Sequence, residues 1–149
     1  MINKILVPTD GSERAEKAAE YAIEVARDND ASIFFLSVVD ELSPAYAYET
    51  EAISPTLPEI LDQMKEAADN YVDQLQQRAA QAGVKATTKV VTGHPSEEIL
   101  NQADDSGADL IVISSHGRRA LAAAVIGSVT INVIHGARIP VTVVPWHKE

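Results

Sequence analysis

The chain contains no cysteine among its 149 residues. Disulfides, thiolate metal sites and cysteine nucleophiles are therefore excluded. Positive charge is scarce: 12 Lys and Arg stand against 22 Asp and Glu, a formal net charge of −10. A surface that tracks nucleic-acid backbones needs a basic stripe. Anionic lipid selects for the same sign. Neither nucleic acid nor a membrane is expected as a partner. No apolar run approaches membrane-spanning length, and no charged leader precedes one, so the expected location is cytoplasmic.

Several functional signatures are also missing. There is no G-x-x-x-x-G-K-[ST], and no G-x-G-x-x-G after the first strand. The four histidines show no metal-ligand spacing. Ser114, Ser115 and His116 are adjacent but lack a G-x-S-x-G elbow, which argues against a serine hydrolase. A receiver domain would need an aspartate after the third strand and a lysine after the fifth. Those strands run into Thr92-Gly93 and Pro145-Trp146.

What is present is the composition of an ordinary globular protein, 46% apolar and 23% charged. The length suits one domain spanning 1–149. Ile2 to Val7 is apolar on both strand faces, as in a parallel sheet covered on both sides. It ends in the turn cluster Pro8-Thr9-Asp10-Gly11-Ser12, and Ser12 can cap the next element. Ala15, Ala18, Ala19, Ala22, Ile23 and Ala26 then recur at helical spacing, ending at Asp28-Asn29-Asp30.

Ser32 to Val39 predicts a second strand. Asp40 to Pro58 has no period and reads as a long loop of functional interest, containing Tyr46 and Tyr48. Leu57 to Ala82 predicts the longest helix, closed by Gly83. Val84 to Val91 is a more polar strand expected near a sheet edge. Pro95 opens a short helix that Gly107 ends. Asp109 to Ile113 is the fourth strand. Ser128 is expected to N-cap a helix through His135, with Gly136 as its C-cap, and Pro140 to Val144 forms the last strand, another edge. The fold class is α/β: an open, doubly wound five-stranded parallel sheet, Rossmann-like, with helices on both faces and strand order 3-2-1-4-5.

In such sheets ligands sit beyond the carboxyl ends of the strands, where strand order reverses. Pro8-Thr9-Asp10, Val38-Val39-Asp40 and Ser114 to Gly117 lie there. Ser114-x-x-Gly117, nine residues, then Gly127-Ser128 joins a buried strand to a helix start. Backbone N–H groups at a helix N-terminus favour an anion, so this stretch is a candidate phosphate cradle. Arg118 and Arg119 are the one adjacent basic pair. The competing interpretation is a long crossover with a glycine turn and an ordinary cap. For Asp10, a ribose or water-bridged metal contact competes with a plain turn role.

The pattern resembles the universal stress protein family, in its ATP-binding branch. The resemblance rests on Val7-Pro8-Thr9-Asp10-Gly11-Ser12, Gly93-His94-Pro95-Ser96-Glu97-Glu98-Ile99, the Ser114 to Ser128 stretch and Pro140-Val141-Thr142-Val143-Val144. It implies that adenine and ribose lie against Pro8, Thr9, Asp10 and the backbone of Val38. It places the phosphates at Ser114, His116, Gly117, Gly127, Ser128, Val129 and Thr130, with Arg118 included in the expected site. Mg²⁺ or Mn²⁺ would bridge phosphates, with Asp10 reaching it through water, and no protein metal cage is expected. The resemblance also implies a homodimer through Pro140 to Val144 and a further protein partner.

One departure stands out. The family's first loop glycine is Ser114 here, a strain if that position needs positive φ and harmless if it needs only a small residue. The expected function is an ATP-binding regulatory switch with at most slow hydrolysis, because no general base is placed to activate water. The alternative is an adaptor of the same fold with an empty slot, or one holding AMP or cyclic AMP. A nucleotide-activating enzyme would need a second pocket, which only the Asp40 to Pro58 loop could supply.

Overall fold

The computed structural model describes residues 1–40, 57–116 and 126–146. Five parallel strands form one sheet: β1 (Lys4–Pro8), β2 (Ser32–Val39), β3 (Ala86–Thr92), β4 (Leu110–Ser114) and β5 (Val141–Val144). The order is β3-β2-β1-β4-β5, as expected. Four described helices connect them: α1 (Glu13–Asn29), α2 (Leu57–Gln81), α3 (Pro95–Ser106) and α4 (Ser128–Gly136).

Alternate residues of the central strands feed two cores, as the period of two in a strand requires. Ile5, Val7, Ile33, Phe35, Leu110 and Val112 pack with α1 and α2. Leu6, Phe34, Leu36, Ile111 and Ile113 pack with Ile99 and Ala103 of α3 and Val133 of α4. Burial on both faces explains why β1, β2 and β4 are nearly continuous apolar runs.

The alanine stripe of α1 is wholly buried, so this helix lies close on the sheet. Ser12 caps it by accepting from the Ala15 N–H at 3.2 Å. Asp30 closes it in the left-handed region at φ 53°, donating to the Ala26 and Arg27 carbonyls. Asp109, just before β4, bonds the start of β1. Its carboxylate accepts from the Asn3 and Lys4 N–H groups at 2.9 and 3.0 Å.

Some boundaries move. β3 begins at Ala86 rather than Val84, β4 runs one residue beyond Ile113, and β5 begins after Pro140. One expected cap is corrected: Gly127 occupies the N-cap of α4, and Ser128 is its first helical residue. The chain is extended at Gly127 (φ −66°, ψ 154°) and turns helical only after it, so the Ser128 side chain stands one place too late to cap. At the other end Gly136 is the last helical residue, and Ala137 takes the C-cap in an extended conformation.

Both sheet edges fall where expected. Among the described residues, β3 pairs only with β2, and β5 only with β4. They differ in chemistry. β3 exposes Thr87 and Lys89, whereas β5 is four half-buried residues, Val-Thr-Val-Val, without charge. Among the described residues, no helix is long and apolar enough to cross a membrane.

Candidate functional site

The strand pairing itself opens a crevice. β1 and β4 pair only at Ile5–Leu110 and Leu6–Ile111. On its other side β1 stays paired with β2 through Pro8–Leu36, and the Thr9 N–H still donates to the Leu36 carbonyl at 2.8 Å. β4 likewise stays paired with β5 through Ser114–Val144, extended by Ser115 N–H to the Val144 carbonyl at 3.1 Å. The sheet therefore parts between β1 and β4, where the strand order reverses.

The first wall is the β1–α1 turn. Thr9 is buried, and its hydroxyl oxygen accepts from the Gly11 N–H at 3.2 Å. The Asp10 carboxylate accepts from the Ser12 N–H at 2.9 Å, an Asx turn. Gly11 sits at φ 78°, where a residue with a Cβ is strained. Val38 lies beyond the end of β1, opposite Val91 of β3, and its side chain packs with the α3–α4 core.

The second wall is the exit of β4. Ser114 is buried in extended backbone, and Asp30 is the one described non-glycine residue with positive φ. Serine in place of the family's glycine therefore causes no backbone strain here. Its hydroxyl donates to the His116 carbonyl at 2.7 Å. The Thr130 hydroxyl donates to the Ser114 carbonyl at 2.7 Å, and the Gly127 N–H to the Ser115 carbonyl at 2.8 Å. These two bonds dock the N-terminus of α4 against the end of β4.

Two features of this wall suit an anion. The first intrahelical bond of α4 runs from the Ile131 N–H to the Gly127 carbonyl, so the N–H groups of Ser128, Val129 and Thr130 have no intrahelical acceptor. They stand at the positive end of the helix dipole. His116 is 3% exposed. Its Nδ1 lies 2.9 Å from the Ser115 hydroxyl, and its Nε2 has no hydrogen-bond partner among the described residues. A buried polar atom left unpaired costs about 1–3 kcal/mol, which a hydrogen-bonding ligand would recover.

The expected site residues thus divide. Pro8, Thr9 and Asp10 form one wall; Ser114, His116, Gly127, Ser128, Val129 and Thr130 gather at the other. The hydroxyls of Ser114 and Thr130 are engaged by protein carbonyls, and Val129 packs against the core. Gly117 and Arg118 lie outside the described residues, as does the loop with Tyr46 and Tyr48. Sequence reasoning missed two participants. Ser115 orients His116, and Tyr71 of α2 lies over Gly11, where an added Cβ would collide with its ring. In the sequence alone Tyr71 reads as one more member of an apolar helix stripe.

No group of three His, Asp or Glu side chains able to hold a metal ion occurs among the described residues. Asp10 is the carboxylate on the crevice turn, and one of its oxygens already accepts from Ser12. This donor set fits a divalent ion that arrives on phosphates and keeps most of its water.

The comparisons with known proteins bear on the family and the fold. The family model described as "Universal stress protein family" matches residues 1–145. Universal stress protein MJ0531 of Methanocaldococcus jannaschii is 35% identical over 149 residues, covering 100% of this chain and 85% of its own. The solved structure of MJ0577 from the same organism superposes with a TM-score of 0.85 at 33% identity, covering 100% of this chain and 99% of that one. Two more distant structures share the fold. One is a universal stress protein in complex with cAMP (24% identity, TM-score 0.67, 96% of each chain). The other is from Archaeoglobus fulgidus in complex with dAMP (19% identity, TM-score 0.64, 96% and 97% of the chains). With the family model spanning nearly the whole sequence and the five-stranded order in place, the chain belongs to the universal stress protein family.

Proposed function

We propose that this protein is a cytoplasmic, ATP-binding regulatory switch, a single domain that works as a homodimer and passes its nucleotide state to a protein partner. The observation that carries the proposal is the β4 exit. Three N–H groups at the start of α4 and the unpaired Nε2 of His116 stand beside the crevice where β1 and β4 part. The phosphates lie at Gly127 to Thr130, held by backbone N–H groups, and the sequence pattern adds Gly117 and Arg118 as further phosphate contacts. The ribose meets Asp10, and the adenine lies between Pro8-Thr9 and the backbone of Val38. Mg²⁺ or Mn²⁺ neutralises charge between the phosphates when bound, with Asp10 reaching it through water. Hydrolysis is slow at most, since the sequence assigns no general base to activate water.

Calorimetry of Mg²⁺-ATP against metal-free, nucleotide-stripped protein tests this. Saturable binding is expected, and Gly127→Val should abolish it with the fold intact. No heat at millimolar ATP overturns the proposal. A second reading takes support from the complexes with cAMP and dAMP: the slot holds an adenine monophosphate. Titrations with AMP and cAMP beside ATP rank the ligands, and tighter AMP or cAMP binding selects the second reading.

The dimer forms through β5. Its edge is apolar and uncharged, while the opposite edge carries Lys89. Ile131 and Ile134 of α4 expose 39% and 44% of their surface, and Val133 of the same helix packs with Val141 and Val143. Apolar exposure of this kind next to an open edge suits a second copy.

A further inference from the structure

We infer that Tyr71 is a positioning residue for the nucleotide slot, holding the β1–α1 turn in the one conformation that presents Asp10. This rests on the slot proposed above. The atoms nearest to where a Gly11 Cβ would stand are Cζ, Cε2 and Cε1 of Tyr71, all well inside 3.0 Å. The phenol end of the ring therefore lies flat against the glycine, and a Cβ at this position would have to displace it. Glycine at positive φ is the most permissive backbone unit, so an uncovered Asp10-Gly11 turn would sample several conformations. Two local bonds, from Gly11 N–H to the Thr9 hydroxyl and from Ser12 N–H to the Asp10 carboxylate, hold it from below. The ring closes it from above.

The flank of α2 carrying Tyr71 is itself fixed. Arg78, two turns on, reaches Glu16 and Glu20 of α1 at 3.8 and 4.0 Å, and Leu75 between them is buried. Tyr71, Leu75 and Arg78 thus form one line at helical spacing facing the turn and the first half of α1. Burial explains Leu75. Tyr71, half-buried, sets its ring on a glycine next to the proposed ribose-facing carboxylate. Preorganising that turn removes an ordering cost from ligand binding.

The test compares wild type with Tyr71→Phe, which keeps the ring, and Tyr71→Leu, which keeps apolar volume but not the flat face. Mg²⁺-ATP affinity is measured by calorimetry, and the Gly11 and Ser12 amides are followed by NMR relaxation. The ring current on the Gly11 α-protons reports the stacked geometry. Tyr71→Phe should retain the ring-current shift and bind more tightly than Tyr71→Leu. Tyr71→Leu should lose the shift, broaden the Gly11 amide by exchange and bind about tenfold more weakly, equivalent to about 1.4 kcal/mol. Unchanged affinity in Tyr71→Leu overturns the inference. A wild-type protein that binds no adenine nucleotide overturns the slot itself. The relaxation data then decide Tyr71 alone, and a Gly11 turn as ordered in Tyr71→Leu as in wild type overturns its role.

Discussion

The hydroxyl of Thr130 donates to the carbonyl of Ser114 across 2.7 Å, and both residues are buried. This bond joins the first turn of α4 to the last residue of β4, so it sets where the free N–H groups of that helix stand. Thr130→Val keeps the shape and removes the donor. The Ser114 carbonyl is then buried without this partner, at a cost of about 1–3 kcal/mol. Chemical denaturation should show that loss, and Thr130→Ser should recover most of it. If the proposed slot is correct, Mg²⁺-ATP affinity falls in the valine variant by more than stability alone accounts for under folded conditions.

Gly11 and Gly83 offer a controlled comparison. Both have φ 78°, but an alanine Cβ at Gly83 meets nothing within 4 Å, whereas at Gly11 it meets the Tyr71 ring. Gly83→Ala should cost about 1 kcal/mol, the penalty of a left-handed non-glycine residue. Gly11→Ala should cost clearly more, because ring or turn must also move. In a double-mutant cycle, Tyr71→Ala should relieve the excess and leave the backbone strain. Equal losses at the two glycines would show that the ring yields freely.

Most of the architecture was legible because its causes are local. Strands buried on both faces read as continuous apolar runs, as at Leu110 to Ile113. The alanine stripe of α1 and the glycine stop at Gly107 mark their helices directly. What stayed hidden depends on where the backbone goes. Serine at 114 was compatible with strain or with none, and only its place as the final residue of β4 decides for none. Ser128 is a favoured cap type, yet the chain turns helical one residue earlier, directly after Gly127. The unpaired Nε2 of His116 and the seat of Tyr71 on Gly11 arise from packing between segments distant in sequence, and no residue pattern encodes them.

Asp109 gives a pH dependence of known sign. N–H bonds from Asn3 and then Lys4 hold its carboxyl below the ordinary value of 3.8. A carboxylate with a lowered folded value binds fewer protons than in the unfolded chain. Its contribution to stability is therefore full above 3.8 and is lost as pH falls through the lowered folded value. Asp109→Asn should be less stable than wild type near neutral pH, and the two denaturation curves should converge in acid below that window. A gap independent of pH would assign the loss to packing.

Arg14 lies over the ring of Trp146, with its guanidinium carbon 4.7 Å from the centroid. Trp146 is the only tryptophan in the chain, so its emission reports this contact without interference. Arg14→Ala should shift the emission to the red as water replaces the cation. The change in stability should be small, about 0.5–1 kcal/mol, since the pair is partly exposed. An unchanged spectrum would mean that the contact does not persist in solution.

The edge of β5 can be tested with its hydrogen bonds to β4 left in place. The Ile111 N–H donates to the Pro140 carbonyl, and the Ser115 N–H to the Val144 carbonyl. In a parallel ladder the inward-bonding residues of β5 alternate, so they are Pro140, Thr142 and Val144. Val141 and Val143 therefore point their N–H groups away from β4, toward the open edge. Val143→Pro deletes one outward donor and leaves the bonds to β4 in place, and Thr142 before it is already in the extended conformation proline requires. Sedimentation equilibrium should show the proposed dimer of the wild type falling to monomer, with the far-ultraviolet circular dichroism retained. A dimer that survives the substitution at the same affinity would place the interface elsewhere, on a surface that does not need a strand donor.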